Sequence, residues 1–377
     1  MRVLYIANRA EILSGGQISL LEFLAGIDKS RFDPVVLCPG KGSLAEGLSA
    51  LGIPVRSWDM PTVKTFNMSR IPKKIRELRS IIKETEASIV HTNGSRAQFY
   101  SSFAVRGTGC GLVWNVRESL RDIPYYDRLL AGPCDRIICV SRAVRDRRFG
   151  RFASSDPKIQ VIYNGVDTRK FAKDPEAGRR VRDELGIGKD KVLLGTIGMI
   201  IPRKGHEFLF RSLKQALKTN PDLVLLVAGK TLEGPYTCRF KEMIYELKLE
   251  NNVMFTDSRE DIKDILSALD VFILSSKSEG FSRVLLEAMA CSLPIIATDV
   301  EGNNEAIEDG VSGRLVPYGD IDSMVLAIEG FMVNRQNAEN LGKNAKKRAG
   351  EFFSIDSHVS QVQDLYGEIV KSRKPGV

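Results

Sequence analysis

Residues 270–300 read DVFILSSKSEGFSRVLLEAMACSLPIIATDV. A short apolar run ends at Ser275-Ser276, a polar loop KSEGF follows, and a helical pattern starts near Ser282. A second apolar run, LPIIATDV, closes the stretch. Strand, loop, helix and strand in this order make one βαβ unit. Near-continuous Val, Ile and Leu in both runs indicates parallel strands covered on each face. Two carboxylates punctuate the unit: Glu279 stands before the turn glycine Gly280, and Glu287 stands inside the apolar helix run.

The same grammar extends outward in both directions. In the second half KVLLGTIGMI, DLVLLVAGK, NVMFTDS and SGRLVPY read as further strands. In the first half RVLYIAN, FDPVVLCP, IPVRSWDM, ASIVHTN, GLVWNVRE, DRIICVS and KIQVIYN do so, with amphipathic stretches such as QISLLEFLAGI and SLAEGLSALG between them. Two successive sets of βα units predict two doubly wound domains. A chain of 377 residues also exceeds the roughly 250–300 that one core supports. The polar stretch from Asn164 to Lys191, with Pro175, is the expected join, giving domains at 1–175 and 176–354. The final segment, about 355–377, carries Val359, Val362, Leu365 and Ile369 at helical spacing. It is expected to pack back on the first domain.

Composition narrows the class. Six cysteines occur without C-x-x-C spacing, and His91, His206 and His358 form no zinc motif, so neither a disulfide scaffold nor a metal site is expected. The N-terminus is too short and too quickly polar for a signal peptide, and no apolar run approaches the roughly 18 residues of a membrane span. A soluble cytoplasmic chain is the expectation. The net charge of +8 is unevenly placed: residues 1–170 hold 27 Lys/Arg against 16 Asp/Glu, and the remainder 28 against 31. The helical stripe of Arg70 to Glu84 (Ile71, Ile75, Leu78, Ile82) lies opposite Lys73, Lys74, Arg76 and Arg79. That face reads as an ordinary solvated helix surface or as one preferring anionic partners, such as lipid headgroups or a phosphorylated acceptor. No aromatic-interleaved basic motif points to nucleic acid.

Parallel α/β sheets bind ligands at the carboxyl ends of their strands, so residues just after the strand runs are the candidates. Gly15-Gly16 follows the first strand and opens a helix, where close backbone approach and free N–H groups suit an anion. It is not G-x-G-x-x-G, which argues against a nicotinamide dehydrogenase. In GTIGMIIPRKGHEFL, Arg203 and Lys204 sit in a turn beside Pro202 and Gly205. With the helix N-terminus near Ser282, they make a credible diphosphate site. Asp320 and Asp322 read as a helix cap and not as a D-x-D metal site.

These motifs together resemble the retaining glycosyltransferases of family 4, over nearly the whole chain. The carriers are SGGQ, VIYNGVD, IPRKGH, the quoted 270–300 stretch with its E-x7-E element and the NNEAI after it, and GVSGRLV. The resemblance implies a GT-B fold: two Rossmann-like doubly wound domains facing a central cleft, the first binding the acceptor and the second the nucleotide sugar. It implies that Lys204 and a nearby arginine hold the donor's diphosphate. Glu287 would take the ribose hydroxyls, and Glu279, with the backbone near Gly280, Phe281, Ser282 and Arg283, would face the transferred sugar. Asn303 and Glu305, in a loop after the next strand, would border this site, and Gly15-Gly16 would approach the donor from the other domain.

Two positions depart from the family pattern. Met199 stands where an arginine is usual, with Arg203 as the substitute. Asn115 and Arg117 stand where many members carry a histidine, so that contact falls to Asn115, to Arg117, or to His91 from the adjacent strand end. The implied activity is transfer of a sugar from a UDP- or GDP-sugar to a glycan or lipid-linked acceptor in cell-envelope synthesis. No metal or cofactor is implied, and the implied location is cytoplasmic, peripheral on the inner face of the membrane. The alternatives are a catalytically silent GT-B nucleotide-binding protein and a nucleotide-sugar 2-epimerase.

Overall fold

A computed structural model describes residues 1–12, 15–62, 68–117, 124–150, 153, 155–231 and 234–373. The chain divides into two compact units. One comprises Met1–Gly165 and the chain from Ile355 on, and the other Val166–Ser354. Ser14 of SGGQ and Glu118 of GLVWNVRE lie outside the described residues, as do Leu232 and Glu233 and residues 374–377.

The first unit runs β1 (Arg2–Ile6), α1 (Gly15–Gly26), β2 (Asp33–Cys38), α2 (Ser43–Ala50), β3 (Val55–Ser57) and α3 (Ile71–Glu84). It continues with β4 (Ile89–Asn93), α4 (Ser95–Ala104), β5 (Gly111–Val116), α5 (Pro124–Ala131), β6 (Arg136–Cys139), α6 (Arg142–Phe149) and β7 (Ile159–Val161). The strands form one parallel sheet in the order β3-β2-β1-β4-β5-β6-β7. All six residues of β5 are buried, as a strand covered on both faces requires.

The second unit repeats the plan: α7 (Pro175–Glu184), β8 (Val192–Ile197), α8 (His206–Ala216), β9 (Leu223–Ala228), α9 (Pro235–Glu246), β10 (Val253–Thr256) and α10 (Ile262–Ala268). Then come β11 (Val271–Leu274), α11 (Arg283–Ala290), β12 (Ile295–Thr298), α12 (Asn303–Ala306), β13 (Arg314–Val316), α13 (Ile321–Val333) and α14 (Arg335–Phe352). Its six strands are parallel in the order β10-β9-β8-β11-β12-β13. Asp320 caps α13, accepting from the Ser323 amide, which accounts for the Asp320-Asp322 pair.

The last helix, α15 (Ile355–Arg373), belongs to the first unit. Its stripe of Val359, Val362, Leu365, Tyr366 and Ile369 is buried in one core with Leu20, Phe23 and Leu24 of α1 and Val3 and Tyr5 of β1. Burying each aliphatic side chain contributes roughly 1.5–3 kcal/mol, so this stripe is integral to the unit's stability. Arg373 ties the far end down through two hydrogen bonds to Asp135, at 2.9 and 2.8 Å.

The basic helix α3 is less free than its sequence implies. Lys74 pairs with Asp59 at 2.5 Å and Glu77 at 2.9 Å, and Arg79 donates to the carbonyls of Ala104 and Phe103. Lys73, Arg76 and Lys83 are the cations it exposes. No helix among the described residues is long and apolar enough to cross a membrane.

Candidate active site

In each sheet the strand order reverses once: between β1 and β4 in the first unit, and between β8 and β11 in the second. Helices leave on opposite faces at that point and open a crevice at the strand ends. The candidate residues fall into two sets, one at each of these points.

In the second unit, β8 leads to a 3₁₀ turn, Pro202–Lys204, and Gly205 then takes the left-handed conformation with φ 70°. A Cβ on Gly205 would collide with the Ser275 carbonyl, so only glycine lets this turn lie against the end of β11. Two bonds fasten the neighbouring loops: Ser275 Oγ donates to the Lys204 carbonyl at 2.9 Å, and the Lys277 amide to the Arg203 carbonyl at 2.8 Å. The result carries Arg203 and Lys204 onto Glu279. Lys204 Nζ donates to Glu279 Oε1 at 2.7 Å, Arg203 Nη1 to Oε2 at 3.1 Å and to the Ser278 carbonyl at 2.8 Å, and Ser276 Oγ to Oε1 at 2.6 Å. Glu279 is only 6% exposed. Burial by itself would raise its carboxyl pKa, but the Lys204 and Arg203 charges and the bonds from Lys204 and Ser276 outweigh it and hold the group below its ordinary value.

Helix α11 begins just beyond. Ser282 is its N-cap with extended backbone and makes no side-chain cap bond, and the positive end of the helix dipole at this terminus suits an anion. Four residues apart on the helix, Arg283 and Glu287 form a buried pair at 2.6 Å. Glu287 therefore sits in the apolar run because Arg283 neutralises it. Phe281 is buried against Phe353, with ring centroids 5.2 Å apart. Gly302, φ 86°, brings the segment after β12 onto the Gly280 carbonyl, where a Cβ would stand 2.6 Å away.

Asn303 and Glu305 correct an expectation: they lie in a short helix, α12, and not in a loop. Asn303 is wholly buried, its amide donating to the Thr298 carbonyl at 3.1 Å, so its side chain braces the segment from within. Gly15 and Gly16 open α1 as expected, forming its first turn.

In the first unit His91, Asn115 and Arg117 do meet, lining one small cavity with Ser19, Leu20 and Phe23 of α1, Asn93, and His358 and Val362 of α15. Arg117 donates to Asn164 Oδ1 at 2.7 Å, and Asn115 Nδ2 to Asn93 Oδ1 at 3.3 Å. His91 Nδ1 is 2.6 Å from the Tyr366 hydroxyl. Burial first, then the Arg117 and His358 charges, push its imidazole down to about 3, so it is neutral near pH 7. Sequence reasoning did not single out Ser276, Asn93, Asn164, His358 or Tyr366. Ser276 was signalled only by its place at a strand's carboxyl end, and His358 only by adjoining the apolar stripe of α15.

Two family models match the chain. The one for glycosyl transferases group 1 matches residues 179–348, and the one for glycosyltransferase family 4 matches residues 13–170. The chain is similar to the Escherichia coli UDP-Gal:alpha-D-GlcNAc-diphosphoundecaprenol alpha-1,3-galactosyltransferase, 27% identical over 96% of each chain. It is also 29% identical to a GDP-mannose-dependent alpha-(1-6)-phosphatidylinositol monomannoside mannosyltransferase of Mycolicibacterium smegmatis, over 61% of this chain and 60% of that one. Among solved structures, Anabaena HepE in complex with UDP-glucose superposes with a TM-score of 0.86 at 22% identity, covering 98% of this chain and all of that one. The lipopolysaccharide glycosyltransferase WaaG matches with a TM-score of 0.74 at 16% identity, covering 97% of this chain and 99% of that one.

Proposed function

This chain belongs to the family 4 glycosyltransferases of GT-B fold, and from that premise we propose that it transfers a sugar, with retention, from a UDP- or GDP-sugar to a glycan or lipid-linked acceptor. The observation that carries this reading is the convergence of Lys204, Arg203 and the α11 N-terminus around the buried Glu279. A departing nucleoside diphosphate needs positive charge fixed in advance where its own negative charge develops. Two cations and the helix N-terminus supply it, and the proposal calls on no metal. Glu279 keeps both cations aimed and faces the transferred sugar, while Glu287, steadied by Arg283, takes the ribose hydroxyls. Since each carboxylate is already bonded to cations, the pair does not act as a glycosidase acid and nucleophile. Transfer proceeds on one face of the sugar, the leaving phosphate helping to accept the acceptor's proton.

The acceptor is proposed to bind the first unit, whose basic excess favours an anionic or lipid-linked glycan of the cell envelope. The location that fits is the cytoplasmic face of the membrane, held peripherally. The test is a thermal-shift panel of UDP, GDP and their sugars, followed by transfer assays with polyprenyl-diphosphate glycans. A ligand at 100 times its Kd stabilises the fold by about 2.7 kcal/mol. Glu279→Gln is expected to lose turnover; full turnover with unchanged donor affinity would remove Glu279 from the mechanism.

A further inference from the structure

At the reversal point of the first sheet, three polar groups stand in line inside an otherwise apolar core. His91 of β4 meets Tyr366 of α15 at 2.6 Å, and the Tyr366 hydroxyl donates to that of Tyr5, on β1, at 3.2 Å. Tyr5 and Tyr366 are wholly buried and His91 is 4% exposed. A buried hydroxyl costs stability unless it is bonded, and the Tyr366 hydroxyl meets this need on both sides, which fixes its orientation. With the Tyr366 proton directed at Tyr5, the short bond to His91 is completed by a proton on Nδ1. Nε2 makes no hydrogen bond among the described residues, while His91 lines the small cavity. Two further buried atoms there, Asn115 Oδ1 and Asn93 Nδ2, have no partner among the described residues.

We propose that Tyr366 is a positioning residue: it holds His91 as the Nδ1–H tautomer, so that Nε2 accepts a hydrogen bond from a hydroxyl of the bound sugar acceptor. This rests on the reading that the first unit binds the acceptor. The cavity, about 10 Å³, has room for a single hydroxyl, and a lone-pair nitrogen, a carbonyl oxygen and an amide N–H match the donor and acceptor needs of that one group. The groups facing His91 are Tyr5 of β1, Phe23 of α1, Arg117 beyond β5, and Tyr366 and His358 of α15. No carboxylate faces it among the described residues, so no negative charge there stabilises an imidazolium. His91 accordingly orients a hydroxyl and does not carry its proton away.

The chain has only three histidines, so nitrogen-15 NMR of the full chain labelled at histidine resolves each ring, with single substitutions for assignment. The expected spectrum shows His91 neutral, with the proton on Nδ1, from pH 5 to 8. Tyr5→Phe keeps the packing but removes the partner that takes the Tyr366 proton. That proton then turns to Nδ1, and the ring proton moves to Nε2. Turnover should fall about tenfold to a hundredfold with the donor KM unchanged. Tyr366→Phe should mix the two tautomers and lower turnover in the same way. A wild-type ring protonated on Nε2, or turnover unaffected once the tautomer has switched, overturns the proposal. A tautomer switch in a chain that transfers no sugar to any acceptor would instead sink the transferase reading and leave the Tyr366–His91 assignment standing.

Discussion

The two units place their candidate residues at the same topological point and furnish it with opposite chemistry. At the β8/β11 reversal a buried carboxylate gathers two cations; at the β1/β4 reversal an imidazole kept neutral by its burial is bonded to a chain of tyrosines. The difference matches what each half of the proposed reaction presents. A leaving diphosphate is anionic and calls for fixed charge, whereas an attacking hydroxyl is neutral and calls for directed hydrogen bonds. One sheet topology thus leaves the chemistry of its crevice open, and a few loop residues decide it.

The strongest way to break this contrast is Lys204→Ala. Removing one preorganised charge typically costs about 10²–10³ in rate, so kcat with a saturating donor should collapse on that scale. The same change at Lys73 should leave kcat intact. Next, Ser276→Ala removes the hydroxyl that supports Glu279. A bond to a charged group contributes about 1.5–3 kcal/mol, and donor-free thermal unfolding should register the loss.

The neutral site is tested by pH. His91 has a folded pKa lowered to about 3 from an ordinary 6.5, so the unfolded chain binds more protons between those values. Stability should fall with acidification through that window by about 1.4 kcal/mol per pH unit, and His91→Asn should reduce the slope. His206, lowered to about 4 by burial and then by Lys204, adds a parallel slope in the second unit, which His206→Asn would separate. The depressed carboxyl of Glu279 adds stability that is present at neutral pH and lost on acidification through its folded pKa. The smallest effect concerns the exposed cations of α3. Replacing Lys73, Arg76 and Lys83 with glutamine should weaken binding to anionic vesicles by about 1 kcal/mol each. Unchanged vesicle sedimentation would remove this helix from any membrane contact.

The alternation of strands and helices was readable because it depends on local patterning, and the buried runs such as VFIL and LVLLVA admit little else. The cluster at Glu279 was readable in part: Glu279, Lys204 and Arg203 were named, but their mutual bonds span about 75 positions and no spacing rule reaches that far. Long-range pairing also explains the remaining surprises. Lys74 looks like a free basic residue until Asp59, fifteen positions earlier, closes on it. Tyr366 looks like one more apolar stripe residue until its hydroxyl meets His91, 275 positions away. Asn303 reads as a loop residue because a four-residue helix leaves almost no periodic signal.

The crossing of α15 into the first unit also sets an order of events during synthesis. Val166–Ser354 is contiguous and can close its core as soon as it has emerged. The first unit must wait for Val362, Leu365, Tyr366 and Ile369, although most of it was made first. A ribosome pausing before Ile355 would therefore hold a finished second unit beside a first one whose α1 face is still bare. Domains usually mature in the order they are translated; in this chain the later one can close first, and α15 completes the earlier one.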